Sequence, residues 1–269
     1  MKRIDIKEVQ AILLDLMKEV HLFLDKNGLK YYLLGGSALG AVRHNGFIPW
    51  DDDIDIGLLR DDYDAFLAIS NTFNPKYEVI NFKNAQNCDF GLTRIYIPNT
   101  YISNPIIEKT KLDKRLYFDV FPLDNVPDDK KQLQVFEKQI LRKKRLLQLI
   151  DVHNNGNPKM VMVAKKFVSL GLNPFRNVIL ESFDKLLKKY RYEDTLKICS
   201  LCSQYSFKKQ VMPRDVYGEP TLHMFEDVAL YIPENITKYL TTLFGEDYMT
   251  LPPEDKRRHG YDIYLTDVD

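Results

Sequence analysis

The chain has 269 residues, 45% of them hydrophobic and 28% charged, which is the composition of an ordinary globular protein with room for one large domain or a catalytic domain with an appendage. Its 38 Lys and Arg balance 38 Asp and Glu, so net charge gives no reason to expect nucleic acid as a partner. No stretch reaches the roughly 20 uninterrupted apolar residues of a membrane span, and Met1-Lys2-Arg3-Ile4-Asp5 lacks the apolar core of a signal peptide, so a cytoplasmic protein is expected.

Residues 7–27 place Val9, Ile12, Leu13, Leu16, Met17, Val20, Phe23 and Leu24 at three- and four-residue spacing, which predicts an amphipathic helix ended by Gly28. An apolar strand at 31–34 then opens into Gly35-Gly36-Ser37 and a short helix over 37–44, stopped by Gly46 and Pro49. Glycines let backbone approach a ligand closely, and a helix start presents N–H groups that suit phosphate. Gly36 and Ser37 are therefore candidate substrate-binding residues, and a tight turn with Ser37 as N-cap is the structural alternative.

Four carboxylates follow within five residues, in Asp51-Asp52-Asp53-Ile54-Asp55. A strand over 53–57 would put Asp53 and Asp55 on one face and Ile54 and Ile56 on the other. Two carboxylates sharing a face repel unless a cation lies between them. Mg2+ binds through one or two carboxylates plus substrate phosphates, so the strand offers half of a coordination shell. Asp51 and Asp52 read as turn residues or supports of the ligands. A calcium loop fails, because Ile56 stands where its sharp-turn glycine is needed and Asp62 where its bidentate Glu belongs.

Asp61 or Asp62 can cap a helix to about residue 70, and strands are expected at 77–82, 92–97 and 100–103. The run Leu116-Tyr117-Phe118-Asp119-Val120-Phe121-Pro122 is strand-like and holds one acid. Buried unpaired beside Phe118 and Val120, that charge would be costly, which directs Asp119 to the site of Asp53 and Asp55. Asp124 reads as a turn residue ending the run.

A helix from Asp128-Asp129 to about residue 150 carries the basic stretch Lys138, Arg142, Lys143, Lys144 and Arg145. A solvated face is the default reading, and contact with anionic lipid or a polyanionic acceptor is the alternative. A linker-like interruption at 153–158 divides the chain into a catalytic core over 1–150 and a helical region with a returning C-terminal segment over 151–269. Helices are expected near 160–170 and 175–190, strands and turns at 211–217 and 222–232, and a helix at 235–244 that stops at Gly245. In the tail, Tyr248, Met249 and Leu251 are expected to anchor the basic run Lys256-Arg257-Arg258-His259, so that Arg258 and His259 can reach back to phosphate; a floppy basic end is the alternative. Cys88, Cys199 and Cys202 fit a reducing compartment, and a lone C-x-x-C with no second pair reads as half-buried thiols rather than a zinc site.

A Gly-Gly-Ser turn, an Asp-x-Asp strand and a later strand with a third Asp follow the catalytic order of the nucleotidyltransferase (polymerase-beta-like) fold, an α+β core with a mixed sheet, here followed by the largely helical additional region. More narrowly, Gly35-Gly36-Ser37-Ala38-Leu39-Gly40-Ala41-Val42-Arg43-His44-Asn45-Gly46-Phe47-Ile48-Pro49-Trp50-Asp51-Asp52-Asp53-Ile54-Asp55-Ile56 resembles the signature of the LicD family of phosphocholine-type transferases, to which fukutin-related protein is also similar. The resemblance continues through Phe118-Asp119-Val120-Phe121-Pro122-Leu123-Asp124 and reaches Leu251-Pro252-Pro253-Glu254-Asp255-Lys256-Arg257, with His259-Gly260 where the family usually ends in His-His. It implies transfer of a phospho-substituent such as phosphocholine from a CDP-linked donor, CDP-choline first among them, to a hydroxyl of a cell-surface glycan or lipid-linked glycan precursor (teichoic acid or lipopolysaccharide), with CMP leaving. Such an acceptor would bring a cytoplasmic enzyme to the inner face of the membrane.

From the residues' own chemistry, Asp53, Asp55 and Asp119 are expected to hold one or two divalent ions, Mg2+ or Mn2+, against the diphosphate, with Asp119 able to accept the proton of the attacking hydroxyl. A diphosphate offers more anionic oxygens than the metals cover, and Arg43 and Arg94 are the candidate forks, with a surface ion pair as the alternative for each. Trp50, beside the acids, stacks on a base, walls a quaternary-ammonium cage, or belongs to the core. Two further readings stay open: transfer of a nucleotide monophosphate to a small molecule on the same scaffold, and a non-catalytic nucleotide-binding protein.

Overall fold

Helix α1 (Ile6–Lys26) begins where Asp5 accepts from the Glu8 N–H at 2.9 Å and Glu8 accepts from the Asp5 N–H at 3.0 Å, a reciprocal cap that satisfies two otherwise orphaned donors. Its stripe of Val9, Leu13, Leu16, Met17, Val20 and Leu24 is buried in the main core. The chain is seen in a computed structural model that describes residues 1–85, 91–104, 108, 113–150, 168–257 and 260–266.

The core is organised by a seven-stranded mixed sheet. Strands β2 (Tyr32–Leu33), β3 (Asp55–Leu59), β7 (Tyr117–Val126), β5 (Thr93–Tyr96) and β4 (Glu78–Ile80) lie in that order, and β8 (Lys197–Cys199) and β9 (Val211–Pro213) join at the far end of β7. Among the described residues β3 and β7 pair in parallel and the other pairs in this sheet are antiparallel. The first half of β7 alternates as its sequence demands, with Phe118 and Val120 buried while Tyr117, Asp119 and Phe121 turn to the opposite, half-buried face.

Helices α2 (Gly35–His44) and α3 (Arg60–Ile69) flank β3 in the chain, and α4 (Lys130–Ile150) follows β7 after an Asp129 carboxylate accepts from the Gln132 N–H at 2.9 Å. α4 packs on α5 (Arg176–Leu187), and together with Cys199 and Leu201 they form a second apolar cluster around Phe136, Ile140, Leu147 and Phe183. The short helices α6 (Phe207–Gln210) and α7 (Arg214–Tyr217), the hairpin β10 (Thr221–Phe225) with β11 (Val228–Ile232), and α8 (Ile236–Phe244) complete the C-terminal part.

The fold is mixed α and β, as expected, and β9, β10 and β11 fall in or beside the stretches 211–217 and 222–232 expected as strands and turns, whereas β8 and β12 (Asp262–Leu265) were not expected. Strands β8 to β12 lie in the C-terminal part, and β12 closes a separate antiparallel sheet between β1 (Lys2–Ile4) and β6 (Thr100–Ser103). The missed strands β1, β8 and β12, of three or four residues, carry too few alternations to reveal themselves by pattern. The linker at 153–158, most of the helix near 160–170, Cys88, Arg258 and His259 lie outside the described residues.

Asp124 is not a turn residue. It is 1% exposed within β7 and accepts from Arg60 Nε and Nη2 at 2.6 and 2.7 Å. The guanidinium fork fits the carboxylate, so a charge that would be costly alone is neutralised in place. Asp64, one turn along α3, draws Arg191 at 2.7 Å and Lys188 at 3.3 Å from the segment after α5, which ties the two apolar clusters together.

Asp124→Ala leaves the Arg60 guanidinium buried without its bidentate partner, and urea denaturation is expected to show a loss of about 3–5 kcal/mol. Replacing both, Arg60→Met with Asp124→Leu, is expected to cost clearly less. A single-variant loss below about 1 kcal/mol would place the pair among solvent-screened ones and contradict this role.

Candidate active site

Asp55 opens β3, and the parallel register sets it opposite Asp119 of β7. On the other side of β7, the antiparallel register sets Arg94 of β5 opposite Asp119. Three neighbouring strands thus present Asp55, Asp119 and Arg94 on one face. Arg94 Nε donates to Asp119 Oδ1 at 2.8 Å, and its guanidinium lies 3.8 Å from the centre of the Tyr117 ring. The join between α2 and β3 is fixed by the Asp55 N–H donating to Ser37 Oγ at 2.9 Å, and the Asp119 N–H donates to the Ile54 carbonyl at 3.2 Å.

β3 starts at Asp55 rather than at 53, because β2 ends at Leu33 and the chain turns at once into α2, leaving 53 no ladder partner on that side. Asp53 therefore sits on the lead-in to the strand. It still lines the same cavity of about 390 Å³ as Asp52, Asp55, Asp119 and Arg94, a cavity walled by Tyr117, Tyr205 and Tyr261 and within the size range of small-molecule sites.

Among the described residues that line the cavity, four carboxylates face one cation, Arg94. Burial, reinforced by the Asp52 charge, pushes the Asp51 carboxyl up to about 6. Burial also holds Asp53 and Asp55 well above the usual carboxylate range, and their acidic neighbours push the same way, with Arg94 opposing at Asp55. Asp53 keeps contact with solvent at the cavity edge, so its shift reflects the protein crowded around it and not enclosure. Carboxylate oxygens of Asp51, Asp52 and Asp53 can lie within 4.8 Å of one another. Crowded hard oxygen donors, with one arginine among the described lining residues, fit a divalent cation of the Mg2+ type: Asp51, Asp52 and Asp53 form the close group that could hold it, while Asp55 and Asp119, expected with Asp53 as ligands, line the same cavity without belonging to a group that tight among the described residues.

The remaining residues singled out in the sequence fall in different places. The helix starts two residues earlier than expected, at Gly35, so Ser37 is inside it and is no N-cap. Ser37 is 3% exposed and its hydroxyl is engaged by Asp55, which makes it a support of the acids. Gly35 has φ +49° and its N–H donates to the Tyr239 hydroxyl at 2.9 Å. A side chain at Gly36 would meet Asp51 Oδ2 at 2.8 Å, so glycine is what lets the first turn of α2 approach the acids. Arg43 turns away from the cavity: Nη1 donates to the Tyr248 carbonyl at 3.0 Å and Nε to His44 Nε2 at 3.0 Å. Arg43 thereby ties down the tail, and Tyr248 packs on the core, while Met249 and Leu251 are exposed and do not anchor it as expected. Trp50 packs at the edge of the core, with Arg257 stacked 5.7 Å from its ring centre, and does not line the cavity.

Sequence reading missed Tyr205 and Tyr261. Tyr205 lies in the irregular segment before α6 and Tyr261 just before β12, and neither stretch has a period or motif to mark it. Cys199 is fully buried in the second cluster, and burial pushes the Cys202 thiol up to about 12, so the pair is chemically quiet.

Residues 28–144, which include Asp53, Asp55, Asp119 and Arg94, match the family described as LicD/FKTN/FKRP, nucleotidyltransferase domain. The chain is 26% identical over 277 aligned residues to the lipopolysaccharide cholinephosphotransferase LicD of Haemophilus influenzae, covering 98% of this chain and 100% of that protein. It is 35% identical over 118 residues to an uncharacterized protein of Rickettsia prowazekii, covering 41% of this chain and 44% of that one. Over 39 residues it is 51% identical to the ribitol 5-phosphate transferase FKRP of Homo sapiens, covering 14% of this chain and 8% of that protein.

Groups whose carboxyls titrate higher in the folded state than in the unfolded chain stabilise the fold below the unfolded value, and that contribution is lost as pH rises through the folded one. For Asp51 the window runs from 3.8 to about 6, and Asp53 and Asp55 extend it upward. In EDTA, the melting temperature of Asp51→Asn with Asp53→Asn is therefore expected to gain on the unmodified protein as pH rises from about 4 to about 7. Added Mg2+ is expected to stabilise the unmodified protein more than the variant. A gap that narrows over that window would contradict the crowded-acid account.

Proposed function

Since the chain belongs to the LicD family and is a LicD-type phosphotransferase, we propose that it moves phosphocholine from CDP-choline onto a hydroxyl of a cell-surface glycan precursor. CMP is released, with Mg2+ or Mn2+ bound at the acids. The choice of phosphocholine follows the relative that aligns along its whole length, named a lipopolysaccharide cholinephosphotransferase; the ribitol 5-phosphate transferase aligns over a short segment and keeps an alditol phosphate in view.

The single observation that carries the reading is the placement of Asp55, Asp119 and Arg94 on one face of three adjacent strands, beside Asp53, in a cavity of ligand size. That arrangement is what a diphosphate reaction on a nucleotidyltransferase fold requires. The acceptor oxygen forms a bond to the phosphorus bearing choline, the bond from that phosphorus to the bridging oxygen breaks, and CMP departs with the electron pair. Asp119 takes the hydroxyl proton. Arg94, held by its bond to Asp119 and its stack on Tyr117, supplies a cation where charge builds on the transferred group. A divalent ion held by Asp53, Asp55 and Asp119 would neutralise the diphosphate as phosphoryl transfer demands. Among the described residues no helix is long and apolar enough to cross a membrane, and a lipid-linked acceptor would be met at the membrane surface.

CDP-choline labelled in the choline methyls and, separately, in the cytidine ring distinguishes the reactions: choline label on the glycan with cytidine label released as CMP is expected. Cytidine label retained on an acceptor would overturn the reading in favour of nucleotidyl transfer. EDTA is expected to abolish turnover and excess Mg2+ or Mn2+ to restore it. Asp119→Asn is expected to lower kcat by about 10²–10⁴-fold, as for loss of a general base, with little change in donor Kd. Equal losses in both would contradict its role in the reacting centre.

A further inference from the structure

A second cavity of about 460 Å³ lies between α4 and the segment from Cys199 to Phe207, and it shares Cys202, Ser203, Gln204 and Tyr205 with the acidic cavity. We infer that this second cavity binds the sugar acceptor, with the segment from 202 to 205 as the lip over which a hydroxyl is presented to the acids. The inference rests on the phosphotransfer reading of the acidic cavity.

Three observations carry it. First, the shared wall is built to hold its shape. Lys144 donates to the Ser203 carbonyl at 3.0 Å, and the Ser203 hydroxyl accepts from Gln210 Nε2 at 2.9 Å and from the Tyr205 N–H at 3.2 Å. A preorganised wall between two cavities is what a two-substrate transfer needs, because the reaction proceeds only when both partners are held in line. Second, the two cavities differ in chemistry. Among the described residues the acidic one holds four carboxylates and an arginine, whereas the second is lined by no carboxylate and by one cation, Lys144, which is already engaged. A diphosphate has little to hold it there.

Third, the lining suits a neutral polyol. The amides of Gln148 and Gln204 have no hydrogen-bond partner among the described residues, and they stand with hydroxyls of Ser203 and Ser206 beside the apolar surfaces of Leu141 and Phe207. Amides and hydroxyls match the ring hydroxyls of a sugar and apolar side chains match its C–H face, whereas a lipid chain would need a continuously apolar lining. The cavity volume is within the range of small-ligand sites.

The test uses the full chain with CDP-choline as donor and methyl β-D-glucopyranoside and methyl β-D-galactopyranoside as acceptor probes. It follows CMP release without sugar and phosphocholine transfer to sugar. Gln148→Ala and Leu141→Trp alter the second cavity only, at exposed positions of α4. Each is expected to raise the KM for sugar by about tenfold while sugar-independent CMP release stays within about twofold. Gln148→Ala, a change favourable to a helix, keeps the test open should the tryptophan disturb folding. Unchanged sugar KM in both variants would overturn the proposal, as would transfer to neither sugar by a protein that releases CMP. No CMP release under any condition would strike the donor reading itself, and the acceptor proposal would fall with it.

Discussion

Two carboxylates occupy opposing positions of the one parallel ladder in the central sheet, Asp55 on β3 and Asp119 on β7, and much of the surrounding structure answers the charge this concentrates. Arg94 reaches Asp119 from the next strand, Ser37 holds the backbone of Asp55, and Gly36 lets the first turn of α2 come close to Asp51. A few residues further along β7, Asp124 shows the other way the fold treats a buried acid. There a guanidinium fork supplies the countercharge in full. At the acidic cavity Arg94 is the one cation among the described lining residues, and burial together with the acidic neighbours raises the carboxyls of Asp51, Asp53 and Asp55. Acids crowded at one cavity, whose carboxyls are raised by burial and by one another, are suited to a cation and an anionic substrate.

What the sequence disclosed depended on how local each signal was. The spacing in α1 and the terminal signal of Gly28 are local, and the helix was legible to within a residue. The alternation around Asp119 was legible for the same reason, since each inward neighbour is apolar. The start of β3 was not, because it depends on where β2 stops, and that is a property of the partner strand. Asp124 was misread because its fate is decided by Arg60, 64 residues away, and nothing beside it announces that partner. Arg43 and Trp50 sit within the signature stretch near the acids in sequence, yet α2 and the turn after it direct them to the tail segment. Proximity along the chain gave the right motif and the wrong orientation.

The C-terminal part carries its weight through contacts that no periodicity encodes. β8 extends the far end of β7, β12 joins β1 to β6, and the segment between β8 and α6 supplies Cys202, Ser203, Gln204 and Tyr205 to both cavities. The chain thus arranges a charged compartment and a nearly neutral one on the two sides of a single pinned segment. A group-transfer enzyme needs that separation, since its donor and acceptor differ in charge while their reacting atoms must meet.

The most direct measurement is a crystal structure of the full chain grown with Mn2+ and CDP-choline, with the ion located by its anomalous scattering. The account predicts an ion ligated by oxygens of Asp53, Asp55 and Asp119 and by the diphosphate of the donor, with Arg94 against the same phosphate group. An ion bound elsewhere, or a diphosphate lodged away from these three acids, would contradict it.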